Sequence, residues 1–349
     1  MGLAGPSGPS ARLTSVAASG PNDVWAVGMR TAPSNPRPRT LVEHWNGHSW
    51  SIASTPNVGW LRTVAVPAPG DVWSVAGRTV LHRLPSGTWS VIRVPHLPPE
   101  SNLVLVSASG PGDVWFAGFQ KGDEYAHNSY GWHTLVVHWN GRRWHVATTP
   151  NPTRRDNDLG GIVALSPSDV WAAGYSQDVH GRPRTMVLHW DGRSWRTVPS
   201  PSPGAYYSVL WGMGRDADGG VWLTGDYGVS SHSHMTILLA HLVGDGWVLT
   251  PPPAASPLGS VTGASGASAG DAWAVGGEPS SSLSILHWNG TSWDRVVPQG
   301  HWITNSLLSD VVTVSPDDAW AVGERGSNGL IAHWDGSRWT RAVSSSVAA

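Results

Sequence analysis

The chain has 349 residues, a net charge of -2, 13% charged residues and no cysteine. That balance leaves no basic stripe for nucleic acid, and the missing thiols exclude disulfides, thiol catalysis and thiolate metal sites. No apolar run approaches the ~18 residues that a membrane-crossing helix needs. From the N-terminus, residues 1–11 are rich in Gly, Pro and Ser and read as a flexible leader. The first repeating unit follows, over residues 12–57, and it predicts four short strands. Residues 13–18 form a small apolar strand, Ser19-Gly20-Pro21-Asn22 a turn, and residues 24–27 a second strand. Residues 40–45 form the third, Asn46-Gly47 a tight hairpin, and residues 50–53 the fourth.

The segment Asp23-Val24-Trp25-Ala26-Val27-Gly28 marks the unit. It returns at Asp71-Val72-Trp73, Asp113-Val114-Trp115, Asp169-Val170-Trp171, Gly220-Val221-Trp222, Asp271-Ala272-Trp273 and Asp318-Ala319-Trp320. Intervals of this size signal a repeat architecture whose units cannot bury their own apolar face. The units run over 12–57, 58–102, 103–152, 153–204, 205–257, 258–300 and 301–346, one domain in all. Short strands at even spacing, with one aromatic motif per unit, predict an all-β seven-bladed β-propeller with four antiparallel strands per blade.

The distribution of bulk supports this. Blades radiate from an axis, so the space between neighbouring sheets widens outward. First strands are small (Ser15, Ala17, Gly160, Gly161, Gly263), whereas 19 of the 23 tryptophans recur on later strands, where a wide wedge accommodates them. Unit two carries Arg83, and unit five Leu242, where the others have a third-strand Trp. A histidine precedes the fourth-strand Trp in all seven units: His44, His82, His138, His189, His241, His287 and His333. Separate blades cannot converge these on a metal, so they read as scaffold residues donating to backbone at blade contacts. The Asp before Val-Trp reads as an acceptor of turn amides.

These motifs resemble a family of bacterial, actinobacterial-type repeat proteins with a D-V-W-A-V-G segment followed by H-W-N/D-G-x-S-W. The resemblance covers essentially the whole chain. It implies a seven-bladed β-propeller, often exported, and no agreed activity. An extracellular location is expected on this ground, together with the low charge and the tryptophan content. Asp191-Gly192-Arg193-Ser194-Trp195 is similar to the Asp-box of sialidase-type propellers but lacks the residue between Asp and Gly, and no sialidase chemistry follows.

Antiparallel order puts the short turns on one face. The other face receives the connections between second and third strands, read as long irregular loops over 29–39, 119–133, 175–184 and 226–235. Function is expected there. The four non-repeating tryptophans, Trp60, Trp132, Trp211 and Trp302, fall in or beside this set. Repeat-breaking residues that flank the first strands converge on one axis. The expected ligand-binding set is therefore Trp60, Arg62, Asn102, Asp158, Tyr206, Trp211, Trp302 and Asp310. Aromatic faces with amides and carboxylates suit a glycan or another small polar ligand. An alternative is a glycoside hydrolase or lyase using Glu100, Asp156, Asp158 and Asp310. Another is a protein-interaction scaffold with a protein partner. No metal or cofactor is expected: Asp216-Ala217-Asp218-Gly219 lacks full calcium-loop spacing and reads as a turn. His127, His133, His180, His232 and His234 read as loop residues.

Overall fold

The computed structural model describes residues 10–32, 35–126, 129–232, 234–253, 259–277, 283–298 and 300–344. They form seven antiparallel sheets of four consecutive strands each, a seven-bladed β-propeller. In blade one the strands are Ser10–Gly20, Asp23–Ala32, Asn35–Trp45 and Trp50–Ile52, innermost first. Its first strand begins inside the stretch expected to be leader; residues 1–9 lie outside the described residues. The last strand of blade seven, Trp339–Ala342, pairs with that blade's own third strand, Asn328–Trp334. No strand is therefore exchanged between the ends among the described residues. The ring closes through contacts between blades one and seven. The Ala11 amide donates to the Ser327 carbonyl (2.8 Å), and the Ser344 hydroxyl to Glu43 Oε1 (2.8 Å).

Each blade interface is a tryptophan cluster. Trp320 of blade seven meets Trp45 and Trp50 of blade one, with ring centroids 4.9 and 5.2 Å away. The same offset holds for Trp115 against Trp190 and Trp195, and for Trp273 against Trp334 and Trp339. The third- and fourth-strand Trp of one blade thus cover the second-strand Trp of the blade before it. Such ring pairs contribute roughly 0.5–1.5 kcal/mol beyond their area. This explains Arg83: its guanidinium lies 5.1 Å over the Trp25 ring, a cation–π contact where other blades place an indole.

The histidines take a different partner from the one expected. His44 pairs across the sheet with Trp25 and stacks on it at 4.0 Å, and its Nε2 lies 2.8 Å from Asp23 Oδ1. The partner is a carboxylate of the same blade, because register puts Asp at the strand end beside the imidazole. Asp23 also accepts the Trp25 indole N–H (2.7 Å), the Ser19 hydroxyl (2.6 Å) and the Gly70 amide of blade two (3.0 Å). It is therefore more than an acceptor of turn amides. Burial pushes its pKa up; the bonds from His44, Ser19, Gly70 and Trp25 together outweigh this and hold it well below the carboxylate range. Blade five lacks this Asp and has Gly220. There Asp216 reaches back from the preceding turn to within 3.5 Å of His241 Nε2 while accepting the Asp218 and Gly220 amides.

The connections expected to be long irregular loops are mostly strand. The second and third strands of blade three, Asp113–Ala126 and Ser129–Trp139, pair as far as Ala126↔Ser129. Blade four pairs as far as Gln177↔Pro183. Cross-strand partners supply the order, such as Lys121 4.2 Å over the Tyr130 ring. The face is built of hairpins.

Candidate functional site

The innermost strands carry a shared irregularity that builds the axial site. In six blades the pairing of first and second strands skips one residue near the hairpin face: between Leu13 and Ser15, Leu103 and Leu105, Leu159 and Gly161, Leu210 and Gly212, Val261 and Gly263, and Leu308 and Asp310. The skipped residue of such a β-bulge is turned out of the ladder. Backbone approach there is so close that the facing residue must be glycine. A Cβ on Gly28 would stand 1.9 Å from the Arg12 carbonyl oxygen, and Gly118, Gly174, Gly225, Gly276 and Gly323 are in the same position. Blade two has Ala76 instead. Its first strand accordingly starts late, at Val64–Ala68, and the Leu61 amide bonds to the Gly28 carbonyl of blade one (3.3 Å). Residues 58–61 bond instead to blade one, at Thr40 and Gly28, and contact with their own sheet begins at the Arg62 amide, which donates to the Val75 carbonyl (3.0 Å).

Aligned by register, the bulge position holds Thr14, Arg62, Val104, Gly160, Trp211, Thr262 and Ser309. Five of these are small or a single valine. The two large ones, Arg62 and Trp211, sit on blades two and five, three blades apart around the ring.

The seven first strands enclose an axial cavity of 350 Å³, whose wall includes Thr14, Ser15, Thr63, Trp211, Arg215 and Asp310. Trp211 is 43% exposed although it stands on an innermost strand. Its indole N–H donates to Asp226 Oδ2 (2.5 Å), and Asp226 also binds the Tyr207 hydroxyl. Burial raises the Asp226 pKa, and these two donors pull it back. The ring is thus held at its edge with a face left open. Asp310 lies one position deeper, on blade seven. Its carboxylate accepts the Ser15 hydroxyl, the Val16 amide and the Val311 amide. Burial raises its pKa to about 6 against these bonds.

The rim holds several other expected residues. The Arg62 guanidinium lies 3.6 Å over the Trp60 ring, with Arg12 5.9 Å from the same ring and ion-paired to Glu324 (3.8 Å). Burial, then the Arg12 charge, lowers the Arg62 pKa. Asn102 and Asp158 occupy the position just before the bulge leucines Leu103 and Leu159, and neither lines the cavity. Asp158 accepts the Leu159 amide, and its pKa is raised by burial and then by Asp156. Across the strand, burial and these two carboxylates push the Tyr175 phenol up to about 12. Tyr206 is exposed outside the cavity wall, with Arg182 5.8 Å over its ring.

Trp302 corrects the expectation. It is 8% exposed and packs between blades six and seven with Trp273, Leu308 and Trp339. A short 3-10 helix, His301–Ile303, folds the chain back and drives the indole into the wedge. Trp302 is core and does not reach the mouth.

The alternative catalytic carboxylates have separate partners. Glu100 pairs with Lys121 (3.3 Å), and Asp156 accepts the Trp132 amide (3.0 Å). Asp310 joins two blades. Asp226 and Arg215 were not among the expected site residues. Arg215 was legible as a repeat-breaker, since the equivalent places hold Ala18, Val66, Ala108, Ala164, Gly266 and Thr313.

No protein-family model and no curated protein sequence matches the chain. Solved structures share the fold. YCF48 bound to D1 peptide is similar over 93% of this chain and 92% of its own, at 16% identity and a TM-score of 0.59. Virginiamycin B lyase from Staphylococcus aureus is similar over 88% and 90%, at 13% identity and a TM-score of 0.59. The SapL1 lectin in complex with alpha methyl fucoside is similar over 81% and 95%, at 13% identity and a TM-score of 0.51.

Proposed function

We propose that the chain is a non-catalytic binding module that takes a carbohydrate at the axial mouth on the hairpin face. One observation carries this reading: Trp211, on an innermost strand, keeps an open ring face while Asp226 fixes its edge. No blade requires an indole there, and a rigid half-exposed indole is a stacking surface that loses little entropy on binding. Hydroxyls and amides around the mouth supply hydrogen bonds to a polyol. Among propellers of the same fold, one is a lectin holding a fucoside and one holds a peptide, so a binding role has precedent in the architecture. A glycoside hydrolase needs two carboxylates facing one bond; Glu100 pairs with Lys121, Asp310 is tied into the blade seam, and Asp156 and Asp158 neighbour each other off the cavity wall. The repeat motif also supports placing the chain among exported bacterial repeat propellers; finding the protein in the cell fraction of its source culture, with none in the medium, would count against export.

The test is a titration of tryptophan fluorescence with an oligosaccharide panel. Binding on the order of millimolar, about -4 kcal/mol, is expected, weakened about tenfold or more by Trp211→Ala and unchanged by Trp132→Ala. A panel that never binds removes the carbohydrate reading. Binding that Trp211→Ala leaves intact removes this site.

A further inference from the structure

We infer that the ligand of the mouth is an acidic saccharide, and that Arg62 receives its carboxylate. The inference rests on the mouth being the binding site, and it adds the chemical class. Arg62 holds the bulge position of blade two, the same layer that Trp211 holds on blade five. A ligand lying on Trp211 and reaching across the axis meets Arg62. Arg62 is exposed as a residue, its guanidinium carbon lies 3.6 Å from the Trp60 ring centroid, and no carboxylate pairs with it among the described residues. Its neighbour Arg12 is already matched by Glu324. Two arginines therefore share one acid, and the surplus charge is on Arg62, which stands beside Trp60 just outside the cavity wall.

Stacking fixes the plane of the guanidinium and leaves its N–H edge free. A planar fork held in one orientation matches a carboxylate in two parallel hydrogen bonds, which a flexible ammonium cannot do. The Trp60 indole nitrogen is buried without a hydrogen-bond partner, so the ring serves by its face. Of the acidic groups at this end, Asp226 stands beside Trp211 on blade five, Asp156 and Asp158 lie on the approach to blade four, Asp310 is tied to Ser15 and Val16 at the seam, and Glu324 pairs with Arg12. The acids of blades four and five disfavour a ligand carboxylate on that side and favour the orientation that points it to blade two.

The experiment uses trigalacturonate and a glucuronate-containing disaccharide, each beside its methyl ester, which keeps the shape and removes the charge. At low salt the acids bind about tenfold tighter than the esters, as a charge-assisted bidentate pair implies. Arg62→Ala brings the acids down to the ester level, and Arg62→Lys recovers part of the difference. Trp211→Ala weakens acid and ester alike. Arg62 is exposed, so a melting curve matching the wild type is expected for both Arg62 variants. Equal affinity for acid and ester, or an acid preference that Arg62→Ala does not alter, overturns the inference and leaves the mouth reading standing. Failure of all four sugars to bind, with the neutral panel, overturns both.

Discussion

Asp310 of blade seven accepts the Ser15 hydroxyl of blade one at 2.7 Å, and the same oxygen takes the Val16 amide at 3.1 Å. The residues are 295 positions apart in the chain. The bond spans the seam where the ring closes, at the wall of the axial cavity. Its other oxygen takes the Val311 amide (2.9 Å).

Asp310 makes stability depend on pH in an unusual sense for a carboxylate. Its folded pKa, about 6, lies above the ordinary 3.8. The stability this contributes is full below pH 3.8 and is lost as pH rises through 6. The shift corresponds to at most about 3 kcal/mol. Urea unfolding between pH 4 and 7 should show the advantage of wild type over Asp310→Asn shrinking as pH rises. A difference that is flat across the window would assign the titration to another group.

Asp23 works in the opposite direction. Its folded pKa is depressed by the bonds from His44, Ser19, Gly70 and Trp25, which overcome its burial. Its contribution is present above pH 3.8 and disappears as pH falls below it. Asp23→Asn should cost about 2 kcal/mol at neutral pH, as for hydrogen bonds to a charged group, and it should lessen acid unfolding. Acid and neutral losses of equal size would contradict this.

Trp171→Ala and Trp302→Ala should each cost about 3–5 kcal/mol, the usual range for emptying a buried aromatic site. Both side chains are 8% exposed. Trp132, at 41%, should cost much less. Denaturant midpoints decide the matter: a Trp302→Ala midpoint close to that of Trp132→Ala would mean the 3-10 turn does not hold the indole in the core.

Gly28→Ala should cost about 2–4 kcal/mol, since the new Cβ would stand 1.9 Å from the Arg12 carbonyl oxygen and the bulge would have to open. Ala76→Gly should change stability by about 1 kcal/mol or less, because regular pairing of the first strand of blade two begins only at Val64. Thermal unfolding of the pair checks the explanation for the late start of that strand. Equal effects would detach it from residue 76.

Spacing alone was enough to read the number of blades, the order of strands within each and the packing role of the recurring tryptophans. These follow from spacing and alternation, which are local properties, and from a wedge that any ring of blades must fill. The sequence also marked Trp211 and Asp310, because each breaks a repeat on an innermost strand. The rest depends on contacts between distant segments. Trp302 has the context of a loop residue, and only the return of the chain over blades six and seven shows that it is core. His44 finds Asp23 through sheet register, 21 residues away. Arg62 and Trp211 each stand eleven residues before a second-strand Trp, but only the register shows that this position is turned out of the ladder in six of the blades. Local pattern specifies an element, whereas a site on the axis depends on how seven registers coincide in space.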